Sequence, residues 1–219
     1  EIMPSLVGSE MCIRDSSNKD LKTFQDAVEA RRSIYDLEKE VSISDDEIKS
    51  IIEHTVKHVP SAFNSQSTRI VLLLNDNHEK FWDITKEELK KTMDPDRDFQ
   101  PTSDKIDNFK HSHGTVLFFE DQDVIEGLKA QMPLYADNFE TWANQTNGMH
   151  QFAIWTEFAI EGIGATIQHY NPLVDERVFE TYGVPKSWKL LGQMPFGNVR
   201  EEAPEKEFND LDERFIVKD

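Results

Sequence analysis

Leu21, Phe24 and Val28 recur at helical spacing, and the run closes on Arg31-Arg32, cations that suit a helix C-terminus. A second helix begins at Ser44, which forms a capping-box pattern with Glu47. Ile48, Ile51, Ile52, Val56 and Val59 line one of its faces as far as Pro60. The polar loop 60–68 feeds the apolar run 70–74, whose length and lack of alternation predict a strand buried on both faces of a sheet. Helices must therefore cover both sides. A charged helix over about 78–92, an Asp- and Pro-rich loop over 94–102 and another polar helix lead to a second buried strand at 115–119. Met149, Phe152, Trp155, Ala159 and Ile163 then follow at steps of three or four, a stripe apolar enough for the core or a subunit interface. The helix breaks at Gly162-Ile163-Gly164, and 165–168 is a short extended piece before Asn171-Pro172. A helix over 174–182 and a third strand over 188–194, closing on Pro195-Phe196-Gly197, complete the regular pattern. The last 20 residues are charged yet carry apolar side chains, so they must lie along something else.

Composition narrows what such a chain can do. Its 219 residues include 14 Phe and 4 Trp, enough material for a substantial core in a single domain over 18–219. A formal charge of −18 repels phosphate polymers and anionic lipid, and no basic patch offsets it, so nucleic acid and membrane surfaces are not expected partners. No apolar stretch approaches the roughly 20 residues a bilayer crossing needs. Cys12 is the only cysteine, which leaves no intramolecular disulfide and no cysteine-based metal site, and a reducing cytoplasm is the expected home. Residues 1–17 (EIMPSLVGSEMCIRDSS) show no period and no secretory core. They read as a disordered, non-native leader, with a genuine mobile arm as the alternative.

Several signatures are missing, among them the phosphate-loop lysine pattern and the G-x-S-x-G elbow. His54 and His58 sit four apart on one helix face, and His111 and His113 two apart. No third ligand accompanies either pair, so both read as solvated polar positions and no metal site is expected. Three polar segments remain: Arg31-Arg32-Ser33, Pro60-Ser61-Ala62-Phe63-Asn64-Ser65-Gln66-Ser67, and 162–170. Each has an innocent account as a dipole partner, a turn or a helix cap. Together they supply what a flavin mononucleotide needs: a guanidinium and hydroxyl cluster for the phosphate, amides for the ring edge, and a close backbone beside N5.

The order R-R-S, then P-S-A-F-N-S-Q, then G-I-G-A-T-I-Q-H-Y-N-P, then W-K-L-L-G-Q-M-P-F-G resembles the nitroreductase superfamily. It is most similar to the branch of the fatty-acid-repression-mutant proteins and the copper-induced nitroreductases. The resemblance implies an α+β, nitroreductase-like fold with a central, mostly antiparallel sheet flanked by helices, and a C-terminal segment extending onto a partner subunit. It implies FMN, a homodimer with sites at its interface, and NAD(P)H as electron donor for small nitroaromatic or quinone-type acceptors. By position, Arg31, Arg32, Ser33 and Lys206 would hold the phosphate, Asn64 would read the flavin ring with Gln66 close by in the same loop, and the backbone at Gln168 and His169 would face N5. The chain departs from the pattern at two points. Many members carry an acid and a glycine where Gln168-His169 stand, and a base where Tyr35 stands.

The expected activity is a ping-pong oxidoreduction in which a hydride passes through flavin N5 and no side chain acts as acid or base. Two other readings stay open: a flavin-binding regulatory or stress-response protein with little turnover, and an acidic helical interaction protein without a cofactor.

Overall fold

The computed structural model describes residues 23–94 and 96–218. The helix expected from Leu21 onward is α1, Phe24–Ala30, capped by Thr23 and Asp26. Leu21 itself, like the leader 1–17 and Cys12, lies outside the described residues. Within α1 the inward residue is Ala27, while Phe24 faces outward. Strand β1, Leu37–Glu38, is followed by α2, Asp45–His58, where the Ser44/Glu47 capping box forms as its spacing requires. After a short 3-10 turn at Ala62–Asn64 come β2 (Thr68–Leu74), α3 (Asn75–Thr92), α4 (Gln100–Lys110) and β3 (Gly114–Asp121). The rest is α5 (Gln122–Gln131), a 3-10 segment at Pro133–Asn138, α6 (Phe139–Ile160), β4 (Ile163–Ala165), α7 (Asp175–Tyr182) and β5 (Trp188–Val199).

Every strand pair is antiparallel, in the order β1-β5-β3-β2, with β4 also on β5. The central strand β3 explains the unbroken apolar run at 115–119. Val116 and Phe118 pack with Ile48 and Ile52 of α2 and with Ile154 and Phe158 of α6. Leu117 and Phe119 point the other way, onto Phe81 and Trp82 of α3, Ile106 and Phe109 of α4, and Val178 of α7. Strand β2 has the same two-sided character but stands last in the order, so most of its residues are only half-buried. Gly164 pairs with Gly197, where an added Cβ would lie 2.2 Å from the carbonyl oxygen of Glu38. That close approach lets β4 and β1 share the end of β5.

Three expectations need correction. The buried face of α6 runs through Ala143, Asn147, His150, Ile154 and Phe158. Of the stripe read from the sequence, Ala159 and Ile163 are buried and Trp155 packs half-buried against the core, while Met149 is 42% and Phe152 38% exposed. Ile163 lies beyond the helix, in β4, because Gly162 takes a φ of 74° and ends it. The third strand does not stop at Met194 but continues to Val199, with Pro195 opposite Thr115 of β3 and its carbonyl accepting from Thr166 N–H at 3.3 Å. The segment 201–218 forms no helix or strand.

Candidate functional site

The first group of residues gathers where α1 ends. Arg31 is the residue after the last turn of α1, and its guanidinium carbon lies 4.3 Å from the centroid of the Trp155 ring on α6. Its Nε is buried and has no hydrogen-bond partner. Burial, and then the neighbouring Arg32, pull the Arg31 pKa below its ordinary value. Arg32 donates from Nη2 to the Pro204 carbonyl at 2.6 Å, which brings the C-terminal segment carrying Lys206 to the same side. Lys206 is exposed, its ammonium 5.3 Å from the Phe208 ring centroid. Ser33 pairs in parallel with Ala165, and the Ala165 carbonyl accepts from Ile34 N–H at 3.0 Å and from Trp155 Nε1 at 3.1 Å.

The same strip of backbone continues to Gln168 and His169. Gln168 N–H donates to the Gln193 carbonyl at 2.7 Å and Gln193 N–H returns the bond at 2.9 Å. The Gln193 side chain, fully buried, accepts from Tyr170 N–H at 2.7 Å and donates to Asn171 Oδ1 at 3.1 Å. The Gln168 amide is thus already engaged, and the first amide of this turn without an intramolecular partner among the described residues is that of His169. Gln193 was legible as part of a motif, but its task of pinning 168–171 was not. Tyr35 is exposed, its carbonyl accepts from the Asn108 side chain, and Lys105 of α4 stands 6.0 Å from its ring centroid.

The second group is the loop 60–67. Phe63, Asn64 and Gln66 have φ of 53°, 54° and 48°, three of the four left-handed non-glycine residues among those described. Asn64 and Gln66 are exposed. Phe63 leans on Tyr135, Phe139 and Trp142, with ring centroids 5.8, 5.8 and 6.1 Å away. A cleft of about 330 Å³ separates this loop from Gln145, Thr146 and Met149 of α6. No hydrogen bond or ring contact among the described residues joins the loop to Arg31, Ser33 or Gln168. The loop packs near residue 145 of α6 and Arg31 near residue 155, about 15 Å along the helix.

The histidine pairs hold no metal-like cluster. His54 and His58 stack at 4.5 Å and are exposed, and His113 spends its ring nitrogens on Asp45 and the Lys39 carbonyl. Among the described residues no group of three or more His, Cys, Asp or Glu could hold an ion. No helix there is long and apolar enough to cross a membrane.

A desolvated arginine beside a paired serine and, apart from them, exposed amides on a loop of left-handed backbone are the polar features this α+β fold sets out. The chain belongs to the nitroreductase family, a family of oxidoreductases, whose sequence profile matches residues 28–198. The Saccharomyces cerevisiae protein HBN1 is 34% identical over 194 residues, covering 87% of this chain and 96% of its own. The Lactococcus lactis nitroreductase CinD in complex with nicotinic acid is 42% identical with a TM-score of 0.84, over 90% of this chain and 100% of that one. CinD is also solved with 4-nitrophenol. A nitroreductase from Desulfitobacterium hafniense with bound FMN shares the fold at 18% identity and a TM-score of 0.63, over 87% of this chain and 96% of its own. The resemblance and the α+β class read from the sequence both hold.

Proposed function

We propose that this oxidoreductase binds FMN between two copies of the chain and uses NAD(P)H to reduce nitroaromatic or quinone-type small molecules in the cytoplasm. The observation that carries the reading is the Arg31 Nε, buried and unpaired. A buried donor left without a partner costs roughly 1 to 3 kcal/mol, and a phosphate would remove that cost. Arg32, Ser33 and Lys206 would complete the anion site with two cations and a hydroxyl. Asn64 and Gln66 would donate to and accept from the polar edge of the ring, and the His169 amide would serve the N5 side, with Gln168 holding its neighbour in place. When bound, FMN would supply a carrier that takes a hydride from the reduced nicotinamide and hands it to the acceptor. The chain's own part is to hold, orient and exclude water, without an acid or base side chain. The complexes of CinD with nicotinic acid and 4-nitrophenol are in keeping with donors and acceptors of these kinds.

A homodimer is part of the same proposal. Arg31 and the loop carrying Asn64 meet α6 about 15 Å apart along its axis, and a second copy could bring its own loop to the first copy's arginines. Phe24, Val56, Met149 and Phe152 present apolar side chains on the faces of α1, α2 and α6, which a second copy would cover. Visible absorbance of the purified chain is the first test. Flavin bands that bleach rapidly on stopped-flow mixing with NADH or NADPH are the expected result. A colourless chain that takes up no added FMN would overturn the reading, and a bound flavin that never bleaches would favour the low-turnover alternative.

A further inference from the structure

The loop 60–67 is held in a conformation its residues do not favour. Left-handed backbone at a non-glycine residue costs about 1 to 3 kcal/mol, most for a bulky side chain such as Phe63, and persists where the surroundings over-determine it. The surroundings here are two consecutive acids at the end of β3. Glu120 is 1% exposed, and its carboxylate accepts from Ser67 Oγ at 2.6 Å, Thr68 Oγ1 at 2.6 Å and Asn147 Nδ2 at 3.0 Å. Asn147 is itself fixed, donating to the Phe119 carbonyl at 3.1 Å and accepting from Gln151 at 2.8 Å. Asp121 binds Arg69 Nη2 at 3.0 Å and donates its own N–H to the Ser67 carbonyl at 3.0 Å. Arg69 then donates from Nη1 to the carbonyls of Gln66 at 2.7 Å and Thr68 at 3.2 Å, while the Gln66 N–H donates to Ser61 Oγ at 2.9 Å.

A carboxylate is expensive to bury, and this one is directed at the exit of an exposed loop rather than at another charge in the core. The only residue of the loop gripped by Arg69 through its carbonyl is Gln66, one of the three with left-handed φ. We propose that Glu120 and Arg69 are positioning residues. They hold the loop in its strained shape so that Asn64 and Gln66 are presented ready-made to the flavin ring, although neither Glu120 nor Arg69 touches it. This rests on the reading that the loop meets FMN.

The test uses the full chain carrying Arg69→Met, Arg69→Lys or Glu120→Gln, with Lys90→Met on the exposed face of α3 as a control for lost positive charge. FMN affinity, the reduction potential of the bound flavin and the melting temperature of the FMN-free chain are measured together. Arg69→Met should weaken FMN about tenfold and shift the potential while leaving the FMN-free melting temperature near wild type, because the guanidinium lies outside the core. Arg69→Lys should recover part of the affinity, and Glu120→Gln should act in the same direction as Arg69→Met. Lys90→Met should change nothing. Wild-type affinity and potential in Arg69→Met, with only the melting temperature lowered, would overturn the proposal even if Glu120→Gln fails to fold. A wild-type chain that binds no FMN would instead remove the reading on which the proposal rests.

Discussion

Trp155 serves Arg31 as a platform: the guanidinium carbon lies 4.3 Å above its ring, while the indole N–H is turned away to the Ala165 carbonyl 3.1 Å off. One side chain of α6 thus ties the end of α1 to β4, and it desolvates the arginine in doing so. The stacked cation keeps a buried, unpaired Nε, the feature on which the proposed phosphate contact rests.

Replacing Arg31 or Arg32 by Ala should weaken FMN binding by the worth of a charge-assisted hydrogen bond, roughly 1.5 to 3 kcal/mol, without unfolding the chain. Trp155→Leu should weaken it in the same direction by loosening Arg31. Equilibrium titration with FMN measures all three, and unchanged retention in both arginine variants would remove the phosphate assignment.

Asn64→Ala should lower both FMN affinity and the rate of flavin reduction, because the amide would bond to the part of the ring whose electrons move. The backbone there is left-handed, at a φ of 54°, and alanine tolerates it less well than asparagine. Asn64→Gly, which relieves the strain and still lacks the amide, separates the two effects: it should fail as Ala does. Wild-type behaviour in both variants would leave Asn64 a turn residue.

Much of this arrangement was legible in the sequence, for identifiable reasons. The strand at 115–119 could be read because burial on both faces abolishes alternation, and α2 because Ser44 and Glu47 cap it locally. The stripe Met149, Phe152, Trp155 was read correctly as helical, yet the outward direction of Met149 and Phe152 depends on which other face β3 and α2 occupy, which no local pattern records. Glu120 was invisible as an anchor because its partners Ser67 and Thr68 lie more than fifty positions away, across the β2–β3 pairing. The grouping of Arg31 with Ala165 and its separation from Asn64 are likewise products of topology. Only the residue types were open to a reader of the chain.

Acid should destabilise the fold through His78. A carbonyl can only accept, so Nε2–H donates to Lys110 at 3.1 Å and Nδ1 is left to accept from the Thr115 hydroxyl at 2.8 Å, with Trp82 Nε1 donating to the same hydroxyl oxygen at 2.9 Å. Burial holds the ring neutral and pulls its pKa from 6.5 down to about 4. Between those values the unfolded chain binds the proton and the folded one does not, so stability falls as pH drops from about 6.5 toward 4. At pH of about 5 the loss is roughly 2 kcal/mol. Urea melts of wild type and His78→Gln at about pH 7 and pH 5 isolate it, since His150, also lowered by burial, is common to both. Parallel slopes in the two proteins would count against this role for His78.

Assembly makes the last prediction. The described residues beyond Arg200 form no helix or strand, and Phe208, Leu211, Phe215, Ile216 and Val217 are each 65% exposed or more. Apolar side chains in that number are not left in water without cost, at about 25 cal/mol for each Å² of apolar surface. Strand β2 stands last in the sheet order with half-exposed apolar residues, and a cleft of about 480 Å³ beside it is walled by Ile52, Val56, Ile70 and Trp188. The tail of a second copy is the occupant expected there, and Arg32, bonded to the Pro204 carbonyl, marks where the tail leaves its own domain. Deleting everything after Pro204 should therefore remove Lys206 from the proposed anion site and weaken the proposed dimer in one step. Sedimentation and flavin content of the truncated protein, measured on the same sample, should both fall. A truncated chain that sediments as a dimer and keeps its FMN would show that the helical faces alone hold the copies together and that the tail contributes to neither.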